Sequence, residues 1–196
     1  MIKTTLPVVG FAAYSSTGKT TLLCKLIPLL NAAGIRVAVV KHSHHEFDID
    51  HPGKDSYELR ESGANNIVIT SRKRTAIIIE HPDNQKEPSL EDALKQVDMK
   101  ASDLILVEGF KCANIPKIEL HRKALNKPYL YPTDKNIIAI ALDHQLDHQL
   151  SHTLESTKNN NNKNKGIPTQ LDLNKPHEIV DFIIKNTLQR ASIKKA

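Results

Sequence analysis

The sequence predicts an α/β fold with a mostly parallel central sheet, flanking helices and a β-hairpin at the sheet edge. Three observations lead to this fold class. Residues 6–13 and 35–40 are apolar segments, and helical spacing of apolar residues fills 19–33 between them. A strand, a helix and a strand joined by short connections form a βαβ unit, whose strands are parallel and buried on both faces. Farther along, "DLILVE" at 103–108 has the continuous apolar character of a central strand.

The remaining elements follow from local start and stop signals. The helix over 19–33 ends at Gly34, and a short helix over 55–62 begins with Asp-x-x-Glu and ends at Gly63. "SRKR" joins two strands into the predicted hairpin, and Ser-x-x-Asp opens a helix over 89–97. The predicted hairpin strands are 66–70 and 75–80, two further strands are 116–121 and 137–142, and the last helix is 176–189.

A length of 196 residues fits a single domain over 1–196, interrupted by one polar segment. "DHQL" occurs twice in succession at 143–150, and an Asn/Lys tract follows. Such a composition offers little to bury, so we expect a flexible surface insert at 151–166. Replication slippage without a function is the favoured origin of the duplication.

Composition excludes several classes of protein. No apolar run is long enough for a transmembrane helix, so no membrane association is expected. Two cysteines are too few for a disulfide framework or a zinc cluster, and the cytoplasm is the expected location. The net charge of +5 is concentrated in 72–74, the Asn/Lys tract and the tail, and aromatic residues are 4% of the chain. We therefore expect no nucleic-acid partner and prefer a phosphorylated small molecule.

The stretch "AAYSSTGKTT" at 12–21 lies between the first predicted strand and the first predicted helix. Its end matches the phosphate-binding pattern G-x-x-x-x-G-K-[ST]. Such a loop surrounds phosphate with backbone N–H groups, its lysine reaches the β- and γ-phosphates, and the following hydroxyl binds Mg²⁺. The predicted phosphate-binding residues are Ser15, Ser16, Thr17, Gly18, Lys19, Thr20 and Thr21, with Thr20 also a metal ligand.

Two expected glycines are missing from this loop. Ala13 replaces the first glycine of the pattern, and Ser16 stands two residues before Gly18. Both residues still supply the backbone N–H donors that bind phosphate. What glycine adds is access to positive φ and room for close approach of the ligand. Ser16 must therefore hold a compatible φ or cost about 1–2 kcal/mol of strain.

A carboxylate completes the predicted site. Glu108 ends the strand over 103–108, and ligands bind at the carboxyl ends of strands in open α/β sheets. We expect Glu108 to contact Mg²⁺, through water if necessary, or to position an attacking water as the catalytic residue. The alternative is an acidic strand end that meets solvent.

The segment "KHSHHEFDIDHPGKDSYELRESGA" after the second strand is rich in polar chemistry. Lys41, Lys54 and Arg60 are candidate anion contacts, whereas the acidic candidates for metal or water contacts are Asp48, Asp50 and Asp55. A transition-metal site would use the histidines, which are His42, His44, His45 and His51. Zinc sites usually have four ligands, and neither cysteine is spaced so that it could complete such a site with these histidines. A capped, solvated helix is an equally good explanation for part of the segment.

The phosphate loop, "KHSHH", "GKDSYELRESGA" and "DLILVEGFK" occur in an order that resembles the MobB family of molybdopterin-guanine dinucleotide biosynthesis adapter proteins. The resemblance covers about 5–142 and resumes at "IPTQLDLNKPHEIVDFI". It implies a GTP-binding protein of the P-loop NTPase type that uses Mg²⁺, is often a homodimer and has at most weak GTPase activity. It also implies a partner enzyme that attaches GMP to molybdopterin.

Carried over by this resemblance, His42, Lys54, Asp55 and Arg60 line the nucleotide or pterin side of the cleft, together with His44 and His45. Guanine preference comes from the resemblance alone, since the N-K-x-D-like stretches at Asn126 and Asn174 lack the aspartate. Two other functions stay open at this point. One is an NTP-dependent kinase or ligase, and the other, suggested by the histidines, is a nickel-type metallochaperone GTPase.

Overall fold

The computed structural model describes residues 4–43, 47–81, 86–144 and 167–188. The chain divides into two compact units. The larger comprises Met1–His42 and Ser89–Ala196, and the smaller comprises Ser43–Pro88. Within the described ranges, no helix has the length and apolar character that crossing a membrane requires.

The larger unit contains a six-stranded sheet in the order β2-β5-β1-β6-β7-β8, and every neighbouring pair is parallel. The α/β fold class is confirmed. Because all six strands are parallel, their carboxyl ends share one edge of the sheet. The strands of this sheet are β1 (Val8–Ala12), β2 (Val37–Lys41), β5 (Leu104–Glu108), β6 (Lys117–His121), β7 (Ile137–Leu142) and β8 (Thr169–Asp172).

Helices cover both faces of this sheet. On one face lie α1 (Lys19–Ala32) and α4 (Pro176–Ile183), whose buried residues include Leu26 and Ile179. On the other face lies α3 (Leu90–Lys95), which packs with Ile105 and Val107 of β5. A strand buried on both faces must be apolar at successive positions, which explains the unbroken apolar runs of β1 and β5.

The predicted helix starts are present. Ser89 caps α3 by accepting a hydrogen bond from the Asp92 N–H at 3.2 Å, as the Ser-x-x-Asp pattern predicts. By contrast, α1 begins after Gly18 without a side-chain cap. No side chain at the cap position therefore accepts a hydrogen bond from the N–H groups in the first turn of α1.

Two features of the larger unit differ from the predictions. The sequence did not predict β8, a short strand with the polar composition TQLD that lies at the sheet edge beside β7. The last predicted helix changes form, because α4 is followed by a π-helical segment, Ile184–Leu188. The predicted flexible insert at 151–166 lies outside the described residues.

The smaller unit contains α2 (Asp55–Glu61), β3 (Asn66–Thr70) and β4 (Thr75–Ile79). The two strands form the predicted antiparallel hairpin, closed by a hydrogen bond from the Ser71 N–H to the Arg74 carbonyl at 2.8 Å. They pair with each other as a separate two-stranded sheet and not as an extension of the six-stranded one.

A row of buried polar side chains occupies β6. Lys117, Glu119 and His121 alternate along this strand, and all three are buried. The Glu119 carboxylate accepts hydrogen bonds from the N–H groups of Leu130 and Tyr131 at 2.7 and 2.8 Å. Burial nevertheless dominates and raises the pKa of Glu119 to about 6 from its usual 4.5. The carboxylate therefore anchors the segment between β6 and β7 at a cost in desolvation.

This arrangement predicts a pH-dependent stability difference between the parent and Glu119→Gln. A carboxyl whose pKa is higher in the folded state binds more protons there, so its contribution is complete below pH 4.5 and is lost as the pH rises through 6. The parent should lose about 2 kcal/mol relative to the variant between pH 4 and pH 7. Urea unfolding of both proteins at several pH values measures this, and a constant difference would contradict the assignment.

Candidate functional site

The phosphate loop connects β1 to α1 at the carboxyl edge of the sheet. It takes two left-handed residues to make this turn, Ser16 with φ of 63° and Gly18 with φ of 98°. Thr17 between them is buried, and its hydroxyl donates to the Tyr14 carbonyl at 2.8 Å. The loop is thus held from inside by Thr17, whereas Ser15 and Ser16 are exposed.

The left-handed conformation of Ser16 leads to a prediction. Ser16→Gly removes a strain of about 1–2 kcal/mol in the folded loop but adds flexibility to the unfolded chain at up to ~1 kcal/mol. We expect a net gain of between zero and about 2 kcal/mol in the free energy of unfolding. Ser15→Gly, without a strain to relieve, is the matched control and should be destabilising. Equal losses in the two variants would show that Ser16 is unstrained.

Lys19 folds back over the loop. Its Nζ donates to the carbonyls of Ala13 at 3.2 Å and Tyr14 at 3.3 Å. Burial lowers the pKa of Lys19, the negative charge of Glu108 opposes this shift, and the positive charge of Lys111 adds to it. The ammonium group therefore lies against the first residues of the loop.

Glu108 and Thr20 meet at the same edge. β1 and β5 are neighbours with Phe11 opposite Glu108, and the Thr20 hydroxyl donates to Glu108 Oε1 at 3.3 Å. A hydroxyl and a carboxylate fit the preference of Mg²⁺ for oxygen ligands, with phosphate and water supplying the remaining positions. In the described part of the chain, no group of three His, Cys, Asp or Glu side chains could hold a metal ion by itself.

His42 lies directly beside Glu108. Its N–H donates to the Glu108 carbonyl at 2.9 Å, which continues the pairing of β2 with β5, and its ring centroid is 4.7 Å from that of Phe110. Gly109 has φ of 93°, and a Cβ built there would lie 2.7 Å from the His42 Cβ. A glycine is therefore required for this close approach of the two strand ends.

Sequence reasoning missed Arg122, which follows β6. Its Nε donates to the Thr17 carbonyl at 2.8 Å, and its Nη1 lies 3.4 Å from Asp143 Oδ2. The guanidinium thus places a positive charge against the phosphate loop and connects the loop to the end of β7. The available signal was an arginine immediately after the predicted strand 116–121, at the edge that carries the loop.

The predicted residues of the smaller unit stay predictions as nucleotide contacts. Lys54 precedes α2 and Asp55 is in its first turn. Arg60 contacts carboxylates of its own unit and lies 5.0 Å over the Tyr57 ring. The carboxylates around Arg60 are Asp48 at 3.1 Å, Asp50 at 3.3 Å, Glu61 at 3.4 Å and Glu80 at 3.7 Å. His44 and His45 lie outside the described residues.

Comparison with known proteins decides the family. The family model described as molybdopterin guanine dinucleotide synthesis protein B, MobB, matches residues 8–143. The chain belongs to the MobB family. The match spans β1 to the end of β7 and so includes the phosphate loop, Glu108 and Arg122.

Relatives of the MobB family cover most of the chain. It is similar to the molybdopterin-guanine dinucleotide biosynthesis adapter protein of Escherichia coli, with 49% identity over 142 residues, 72% of this chain and 81% of that protein. The Haemophilus influenzae adapter protein is 41% identical over 178 residues, 91% of this chain and 88% of that protein.

Solved structures of MobB proteins have the same fold. A crystal structure of molybdopterin-guanine biosynthesis protein B aligns with a TM-score of 0.63 at 24% identity, covering 91% of this chain and 98% of that one. A Bacillus subtilis MobB structure aligns with a TM-score of 0.61 at 18% identity, covering 93% of this chain and 98% of that one. At this identity the likeness supports the fold alone.

Proposed function

We propose that this chain is a GTP-binding adapter in molybdopterin-guanine dinucleotide biosynthesis. One observation carries the proposal. Lys19 contacts the loop between β1 and α1, and Thr20 after it hydrogen-bonds to Glu108, all at the carboxyl edge of the sheet. Membership of a family of adapter proteins supports the biosynthetic role.

Each residue has a defined task in this proposal. The N–H groups of the loop and of the first turn of α1 surround the phosphates, and Lys19 moves its ammonium from the loop carbonyls to phosphate oxygens. Thr20 and Glu108 would hold Mg²⁺, which when bound neutralises phosphate charge. Glu108 would also orient water in at most weak GTP hydrolysis.

The adapter role predicts a partner and a product. The partner we propose is the enzyme that transfers GMP to molybdopterin, with molybdopterin a further candidate ligand. Adding the purified chain with GTP and Mg²⁺ to that enzyme and molybdopterin should increase formation of the guanine dinucleotide. Conversion of a small molecule by the chain alone, without the partner, would instead support a kinase or ligase.

The smaller unit offers a surface for a homodimer. Val68 and Ile77 are opposite each other on the hairpin, 64% and 58% exposed, and Ile79 on the same face is 40% exposed. We propose that a second copy covers this apolar face. Light scattering on Val68→Lys should show dissociation, whereas Ile69→Lys, at a 42% exposed position on the opposite face of β3, should not. Equal masses of Val68→Lys and the parent would contradict this interface.

A further inference from the structure

A cavity of about 410 Å³ lies at the carboxyl ends of β7 and β8. Its volume is within the range of about 300–1,000 Å³ that is usual for small-molecule sites. It belongs to the larger unit and opens at the sheet edge that carries the phosphate loop. The residues that line it include Leu142, Asp143, His144, Asp172, Asn174 and Lys175.

The position of the cavity fits the length of a nucleotide. Starting from β1, the strand order runs to β6, β7 and β8. Neighbouring strands are about 4.8 Å apart, so β7 and β8 lie about 10 and about 14 Å from the strand that ends in the phosphate loop. A nucleotide that extends along this edge from its phosphates toward β8 would therefore place its base at the cavity.

Hydrogen bonds connect the loop to the cavity wall. Arg122 contacts both the Thr17 carbonyl and Asp143, as described above. Asp143 Oδ1 also accepts from the Lys123 N–H at 3.2 Å and lies 2.8 Å from His144 Nδ1. Asp143 Oδ1 thus has two partners and Oδ2 contacts Arg122, so Asp143 supports the wall of the cavity. Recognition of a ligand in the cavity falls to another group.

Asp172 keeps the capacity to recognise a ligand. Its Oδ1 accepts a hydrogen bond from the Asn174 N–H at 2.8 Å, which fixes the carboxylate plane at the end of β8. Its Oδ2 forms an ion pair with Lys175 Nζ at 3.7 Å, longer than a hydrogen bond, and that ammonium lies nearer to Glu178 Oε1, at 3.0 Å. A partly exposed carboxylate oxygen with available lone pairs therefore lies at the cavity.

We propose that this cavity receives the base of the nucleotide and that Asp172 selects guanine. The inference rests on the proposed GTP-binding function and adds the residue that reads the base. Guanine presents two adjacent donors, N1–H and the 2-amino group. Oδ2 can accept one of them and the second lone pair of Oδ1 the other, since among the described residues Oδ1 accepts only the Asn174 N–H. Adenine presents an acceptor at N1, which a carboxylate repels, and an unpaired polar group in such a site costs several orders of magnitude in selectivity.

The test is a change of base preference in Asp172→Asn. The amide replaces an acceptor by a donor, so GTP binding should weaken by about 100-fold while XTP, whose 2-carbonyl accepts from an amide, should bind more tightly than to the parent. Calorimetric titration of GTP, XTP, ATP and inorganic tripolyphosphate measures this. Asp181→Asn, the same change at an exposed position of α4, is the matched control and should behave as the parent does.

Binding of tripolyphosphate separates the two levels of the claim. Asp172→Asn should bind tripolyphosphate as the parent does, which also shows that the variant is folded. If both bind tripolyphosphate but the variant keeps the parent's ratio of GTP to XTP and ATP affinities, the base assignment is overturned and the phosphate site stands. A parent that binds neither GTP nor tripolyphosphate would overturn the proposed function and this inference with it.

Discussion

Lys19→Ala should abolish most of the affinity for nucleoside triphosphates while the protein stays folded. Among the described residues the Lys19 ammonium donates to the carbonyls of Ala13 and Tyr14 alone, so little of the described fold depends on it. A charged hydrogen bond to phosphate contributes about 2–3 kcal/mol, which corresponds to a loss of about 30-fold to about 150-fold in GTP affinity. Calorimetric titration gives the affinity, and circular dichroism gives the fold.

The matched control for this change is Lys25→Ala. Lys25 is on the same helix and exposed, so its removal alters the net charge equally but leaves the loop intact. We expect the parent's GTP affinity in this variant. A similar loss in the two variants would indicate a general electrostatic effect and count against the phosphate loop, and an unchanged Lys19→Ala would do so directly.

Gly109→Ala should be the most destabilising of the conservative substitutions at the site. The residue has φ of 93°, and the new Cβ would meet the His42 Cβ at 2.7 Å and its carbonyl oxygen at 3.1 Å. Left-handed strain costs about 1–2 kcal/mol, and the forced separation of β2 from β5 adds about 1–3 kcal/mol. Urea unfolding should show the sum, and Mg²⁺-dependent GTP binding should weaken because Glu108 is displaced.

Gly34→Ala separates the two contributions. Gly34 also has a positive φ, 78°, at the end of α1, but nothing lies within 4 Å of the Cβ built there. It should therefore cost only the strain, about 1–2 kcal/mol. Equal destabilisation at the two positions would show that the contact between His42 and Gly109 is not tight.

The sequence was sufficient for the elements whose signal is local. β7 has the predicted bounds, and α1 and β5 differ from theirs by one residue, because continuous apolar runs and glycine stops mark them strongly. The phosphate loop was also visible, since its residues are contiguous. The sequence did not decide whether Ser16 has a positive or an ordinary negative φ, and in the structure its φ is positive.

The rest depended on tertiary contacts that leave weak sequence signals. β8 is short and polar, and it forms by pairing with β7 at the edge. Arg122 becomes part of the site because β6 lies beside β1, a strand order that periodicity does not determine. The carboxylates around Arg60 come from separate parts of its unit and are likewise brought together by tertiary contacts, and its role as a nucleotide contact stays a prediction.

The most direct test of the central claim is a calorimetric titration of GTP into the parent protein with and without Mg²⁺. We expect one GTP to bind saturably per chain, more tightly with Mg²⁺ than without it and in competition with inorganic tripolyphosphate, and to bind about 30-fold to about 150-fold more weakly in Lys19→Ala. Absence of GTP binding, or binding that Lys19→Ala leaves intact, would contradict the assignment of the loop between β1 and α1 as the nucleotide site.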